Sequence, residues 1–184
     1  MTAVVLCGKR NDPVVCDPLL KALSHYGGAL YFNGRTLKSV QDPGTDTPRF
    51  VVYDCEEIPD LNLEKGILLF KNSFCGSSAR SIPAGVLTVF ESYNGRAAGA
   101  LKGTGVVAIT CGTSAKDTLS VASLDEMSAT VSLQRTVKDL SGTVLEPRDV
   151  AVELDSLLSP YQLLAVCSVL LLSGEDPNSG YRIF

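Results

Sequence analysis

Short apolar runs, each closed by glycine or a polar turn and separated by helix-length segments, fill the N-terminal part of the chain and leave few folds open. They are Ala3–Cys7, Ala29–Phe32, Phe50–Tyr53, Gly66–Phe70, Gly85–Phe90 and Gly105–Thr110. Ala3–Cys7 is rich in β-branched residues and ends at Gly8, the pattern of a strand buried on both faces, as in parallel sheets. After it, Val15–Tyr26 places Leu19, Leu20 and Leu23 on one helical face, and Gly27-Gly28 supplies the stop. Asn33-Gly34 is a favoured turn pair, Gln41–Pro48 reads as a surface loop, and Gly95–Leu101 as a second helix. Strand, helix, strand in this order is the grammar of right-handed βαβ units.

From Ser128 the pattern changes. Ala129, Val131 and Leu133 alternate with Thr130, Ser132 and Gln134, the period-2 signature of a half-exposed strand. Ser141-Gly142 closes a hairpin whose return strand runs Thr143–Leu154, with Pro147 at a bulge or an edge. A last helix begins at an N-cap, Ser159, with Pro160 in first position, and continues through Leu172 to a stop at Gly174. The expected fold is one α/β domain over residues 1–184. It is three-layered, with a mostly parallel Rossmann-like or P-loop-like sheet, a C-terminal antiparallel hairpin and a closing helix.

Composition narrows the class. With 184 residues, 45% apolar and 20% charged, the chain can bury one sizeable core and carries no disordered tract. Its net charge of -4 comes from interspersed residues, with no Lys/Arg stripe to follow a phosphate backbone, so nucleic acid is not an expected partner. The apolar run Leu163–Leu172 falls short of a bilayer span, and no basic region precedes the N-terminal strand, so neither membrane insertion nor export is expected and the cytoplasm is the expected location. The six cysteines contain no C-x-x-C pair and read as reduced core residues.

Candidate chemistry gathers in loops. The turn after the first strand stands where a phosphate-binding loop would sit, yet Gly8-Lys9 is followed by Arg10 instead of Ser or Thr. Ala3 occupies the position of the first glycine, and Pro13 lacks an N–H. Lys9, Arg10 and Asn11 could hold an anion, or could form an ordinary solvated turn. Gly76-Ser77 and Gly112-Thr113-Ser114 could present N–H groups and hydroxyls to a phosphate or sugar, or be routine turns. Asp54, followed by Glu56 and Glu57, is a weak metal candidate set against a solvated strand terminus, and no cofactor is expected. His25, the sole histidine, reads as a helix C-terminal residue rather than a catalytic base, and no catalytic residue is assigned.

Glu91–Leu101 followed by Val106–Ser114, then Ser132-Leu133-Gln134-Arg135, Val144-Leu145-Glu146-Pro147 and Pro160–Gly174, resemble the central ATP-binding domain of the Mur ligase family, enzymes that add amino acids to the peptidoglycan precursor. The resemblance places Ala3–Tyr26 at the family's phosphate loop and helix without its motif, and Asp54 near its metal-binding glutamate. Pro160-Tyr161-Gln162-Leu163 stands where the family shows a His-Asn pair. It also implies a bacterial source, and the chain has no room for the family's two flanking domains, so ligase activity is not expected. The reading is a non-catalytic interaction or regulatory module that meets a protein partner or self-associates. The alternative is a small enzyme or binder whose loops at Gly8, Gly76 and Gly112 converge on a nucleotide or phosphorylated metabolite.

Overall fold

The computed structural model describes every residue except 11, 42–46 and 78–80, so most of the surface loop expected at Gln41–Pro48 lies outside the described residues. The apolar runs become β1 (Thr2–Cys7), β2 (Ala29–Phe32), β4 (Phe50–Cys55), β5 (Gly66–Phe70), β6 (Val86–Glu91) and β7 (Ala108–Gly112), with β3 (Leu37–Val40) beside β2. Two helices interrupt them, α1 (Pro13–Leu23) and α2 (Gly95–Leu101). The remainder comprises β8 (Leu119–Leu124), β9 (Ser128–Leu133), β10 (Val137–Lys138), β11 (Val144–Leu145), β12 (Arg148–Leu154), α3 (Pro160–Leu172) and β13 (Tyr181–Ile183).

Among the described residues, eleven strands form one sheet in the order β13-β12-β9-β8-β7-β6-β5-β1-β4-β2-β3, while β10 and β11 pair separately. From β2 through β8, β4, β1, β5, β6 and β7 run parallel with their neighbours. Antiparallel pairing appears at β2–β3, β8–β9 and β9–β12. One face carries α1 and α3 over the larger apolar core, including Leu6, Leu69, Val89 and Val131. The other is covered by α2 and connecting segments around Val5, Leu68 and Phe90, a smaller core whose strand residues come from β1, β4, β5 and β6. On β12, buried Val150, Val152 and Leu154 alternate with exposed Asp149, Ala151 and Glu153, as the period-2 pattern requires when one face meets solvent.

Helix α3 is buried nearly all round, because α1 and the sheet enclose it. Its cap is the expected one: the Ser159 hydroxyl accepts from the Gln162 N–H, and Gln162 accepts in return from the Ser159 N–H. Gln162 also joins the two helices. Pro18 inside α1 has no N–H for the carbonyl of Val14 four residues earlier, and the Gln162 Nε2 donates to that oxygen at 2.7 Å.

The structure corrects four expectations. Helix α1 spans Pro13–Leu23 instead of Val15–Tyr26, and the chain leaves it by turns through Gly27 and Gly28, both at positive φ. The return strand Thr143–Leu154 is two strands in different sheets, and Pro147 sits in the break between β11 and β12. The Ser141-Gly142 turn joins only the short pair β10–β11, where the Asp139 carboxylate accepts from the N–H groups of Ser141 and Thr143, both at 2.8 Å. Five cysteines are buried and free, but Cys75 is exposed.

Candidate functional site

Because β1, β4, β5, β6 and β7 run parallel, the loops that follow them emerge at one edge of the sheet. The turn at Gly8, the loop holding Gly76-Ser77 and the loop at Gly112-Thr113-Ser114 therefore share that edge. The sheet order puts three strand spacings, about 14 Å, between β1 and β7. The N-termini of α1 and α3 point to the same edge: α1 follows β1, and Tyr161 in the first turn of α3 donates its hydroxyl to the carbonyl of Phe70 at the end of β5.

Three backbone donors of the turn between β1 and α1 are engaged within the chain. Gly8 N–H bonds to the Cys55 carbonyl at 2.9 Å, Lys9 N–H to the Ser73 hydroxyl at 3.1 Å and Asp12 N–H to the Lys9 carbonyl at 3.0 Å. The Asp12 carboxylate is the N-cap of α1, accepting from the Val14 N–H at 3.1 Å and from the Ser73 hydroxyl. Pro13 contributes no donor. A built-in carboxylate thus takes the place at the helix N-terminus that a phosphate would need. The Lys9 side chain is exposed. The Arg10 guanidinium leans toward the turn between β2 and β3, 3.6 Å from where a Cβ on Gly34 would stand. Asn11 lies outside the described residues.

Beneath this turn is a buried ion pair. Lys71, the first residue after β5, extends its ammonium to both Asp54 oxygens at 2.8 and 2.9 Å and to the Lys9 carbonyl at 3.1 Å, using all three donors. The Tyr31 hydroxyl adds a bond to Asp54 at 3.0 Å. The side chains of Lys71 and Asp54 are 0% and 1% exposed. The solvated terminus weighed at Asp54 is therefore not what forms, although Glu56 and Glu57 beside it are exposed. Burial pushes the Asp54 carboxyl above the ordinary carboxylate range, against the bonds from Lys71 and Tyr31 that favour its charge. Burial, with Asp54 nearby, pushes the Cys16 thiol up to about 11. Both Asp54 carboxylate oxygens thus face the Lys71 ammonium.

Sequence reasoning missed Lys71. Its signal was a single charged residue directly after the apolar run Gly66–Phe70, as Asp54 is the first charged residue after Phe50–Tyr53.

The loop after β7 repeats the device. Asp117, 4% exposed, accepts from the Ser114 N–H at 3.1 Å, while the N–H groups of Asp117, Lys116 and Thr118 bond to Ser114 O, Ser114 Oγ and Thr110 O. Gly112 has no room for a side chain, since a Cβ would lie 2.2 Å from Asp117 Oδ2 and 2.8 Å from Ser92 Oγ. Thr113 and Ser77 are exposed, and a Cβ on Gly76 would meet the Phe74 ring at 2.8 Å. His25 lies beyond the end of α1, edge-on to the Phe184 ring at 6.0 Å. Among the described residues, no group of three His, Cys, Asp or Glu side chains could hold a metal ion, and no helix is long and apolar enough to cross a membrane.

No family model matches the sequence, and no curated protein matches it. A solved structure of a UDP-N-acetylmuramoyl-L-alanyl-D-glutamate--2,6-diaminopimelate ligase superposes on 96% of this chain with a TM-score of 0.51 at 9% sequence identity. The match takes in 44% of the ligase chain, so this chain spans less than half that protein's length. At such identity the likeness shows a shared α/β fold, with a mostly parallel sheet, and nothing finer.

Proposed function

We propose that this chain is a relative of the Mur ligase central domain that has exchanged nucleotide binding for internal contacts, and that it works in a bacterial cytoplasm as a non-catalytic interaction or regulatory module. One observation carries the reading. The N–H groups and the carboxylate that a magnesium-bound triphosphate would engage are engaged by Ser73, Asp12 and Lys71 of the chain itself. Docking on a protein partner or a second copy is supported by Phe32 and Leu37 at the β2–β3 edge, 40% and 65% exposed, the former stacked on Tyr53 at 5.9 Å.

A thermal-shift panel of nucleotides with and without Mg2+ tests the reading. A ligand at one hundred times its dissociation constant adds about 2.7 kcal/mol to stability, so a functional site would raise the midpoint visibly. No shift is expected; a Mg2+-dependent rise would remove the basis of the proposal. The second reading, a binder of a phosphorylated metabolite, is favoured by the shared edge of the three loops and by the exposed hydroxyls of Ser77 and Thr113. A rise with sugar phosphates but not with nucleotides would select it.

A further inference from the structure

At the amino ends of β6 and β7, the segment leading into β10 stands off the sheet and leaves a cavity of about 360 Å³, within the size range of small-molecule sites. Leu87, Val107, Ile109 and Val137 give it apolar walls, and Arg135 and Lys138 bring two cations to its rim. No carboxylate lines it. The hairpin carries two carboxylates: Asp139, next to Lys138, accepts from the N–H groups of Ser141 and Thr143 at 2.8 Å, and Glu146 accepts from the Thr136 hydroxyl at 2.9 Å. Arg135 is anchored by one bond, Nη2 to the Lys116 carbonyl at 2.9 Å, which leaves its other N–H groups for a ligand. Among the described residues neither Arg135 nor Lys138 forms an ion pair, in a chain whose net charge is -4.

An apolar floor rejects a ligand with a polar body, because its hydrogen bonds to water would go unreplaced, and two unpaired cations at the rim select a negative head. We propose that this cavity binds a medium-chain carboxylic acid, its hydrocarbon on Val107, Ile109 and Val137 and its carboxylate between Arg135 and Lys138. The site lies away from the loops at the carboxyl edge, so it stands or falls independently of the nucleotide reading.

The test is an NMR titration of the purified chain with decanoate below its micellar concentration. Saturable one-to-one binding is expected, with amide shifts centred on Val107–Ile109 and Arg135–Lys138. Both rim residues are exposed, so the double variant Arg135→Gln, Lys138→Gln should keep the fold and weaken binding roughly tenfold. Decan-1-ol should bind the native chain more weakly by the same factor and ignore the double variant, and Arg96→Gln, on α2, should change nothing. Absence of saturable binding, equal affinity for acid and alcohol, or indifference of decanoate to the double variant would each overturn the proposal.

Discussion

Replacing Lys71 by methionine removes the ammonium while keeping most of the side chain's bulk, and leaves Asp54, 1% exposed, with Tyr31 as its remaining side-chain donor. Breaking a buried pair by deleting one partner costs about 3–5 kcal/mol, since the surviving charge stays desolvated without its counter-ion. For a domain of this size that corresponds to a fall in Tm of roughly 6–20 °C. The loss should depend on pH with a definite sign. Without Lys71 the Asp54 carboxyl in the folded chain rises further above its unfolded value of about 3.9, so Lys71→Met is penalised at neutral pH and recovers as the pH falls through the folded value and the carboxyl neutralises. Urea unfolding of both chains at neutral and acidic pH measures this. The triple variant Tyr31→Phe, Asp54→Leu, Lys71→Met, which leaves no polar group of the cluster unpaired, should regain most of the loss. A cost below about 1 kcal/mol, the range of an exposed pair, or a cost that does not change with pH would refute the reasoning.

Gly8→Ala places a Cβ 2.6 Å from the Lys71 Cβ at a φ of +152°, so overpacking and backbone strain together should cost about 2–4 kcal/mol by urea unfolding. Gln162→Glu keeps the acceptor for Ser159 N–H but loses the donor to the Val14 carbonyl beside Pro18; a loss of about 1–2 kcal/mol is expected, and Gln162→Ala should lose both bonds. Asp139→Asn should flatten the acid limb of the stability curve. Burial works against the Asp139 charge, but bonds from the Ser141 hydroxyl and the N–H groups of Thr143 and Ser141 outweigh it and hold the carboxyl below its ordinary value. Its stabilisation is therefore present above about pH 3.9 and is lost as the pH falls through the folded value, a loss the amide cannot show.

The parallel half of the fold was legible because β1, β5 and β6 are buried on both faces along most of their length, which makes their sequences mostly apolar and unlike any loop. The strands that escaped detection lack that pressure. β3 is exposed along Leu37–Ser39, β8 mixes Ser120, Ala122 and Ser123 with its larger apolar residues and has an irregularity between Val121 and Ser123, and β13 has three residues. The break at Pro147 was hidden because Val144-Leu145 and Val150-Ala151-Val152 read as one alternating strand, although they pair with different partners. At the carboxyl edge the departure of the turn from a phosphate-loop motif was visible in Arg10 and Pro13, but the contacts its residues make were not. Asp12, Ser73 and Lys71 meet only through the parallel pairing of β1 with β5, a contact across more than sixty residues that no local pattern encodes.

The central claim is that the chain's own groups hold the amides a phosphate would need: the Cys55 carbonyl for Gly8, the Ser73 hydroxyl for Lys9, and the carboxylates of Asp12 and Asp117 for Val14 and Ser114. Backbone-amide NMR with MgATP added to millimolar concentration reads those groups one by one. The resonances of Gly8, Lys9, Val14 and Ser114 are expected to stay where they are; saturable, Mg2+-dependent movement of those four would contradict the account.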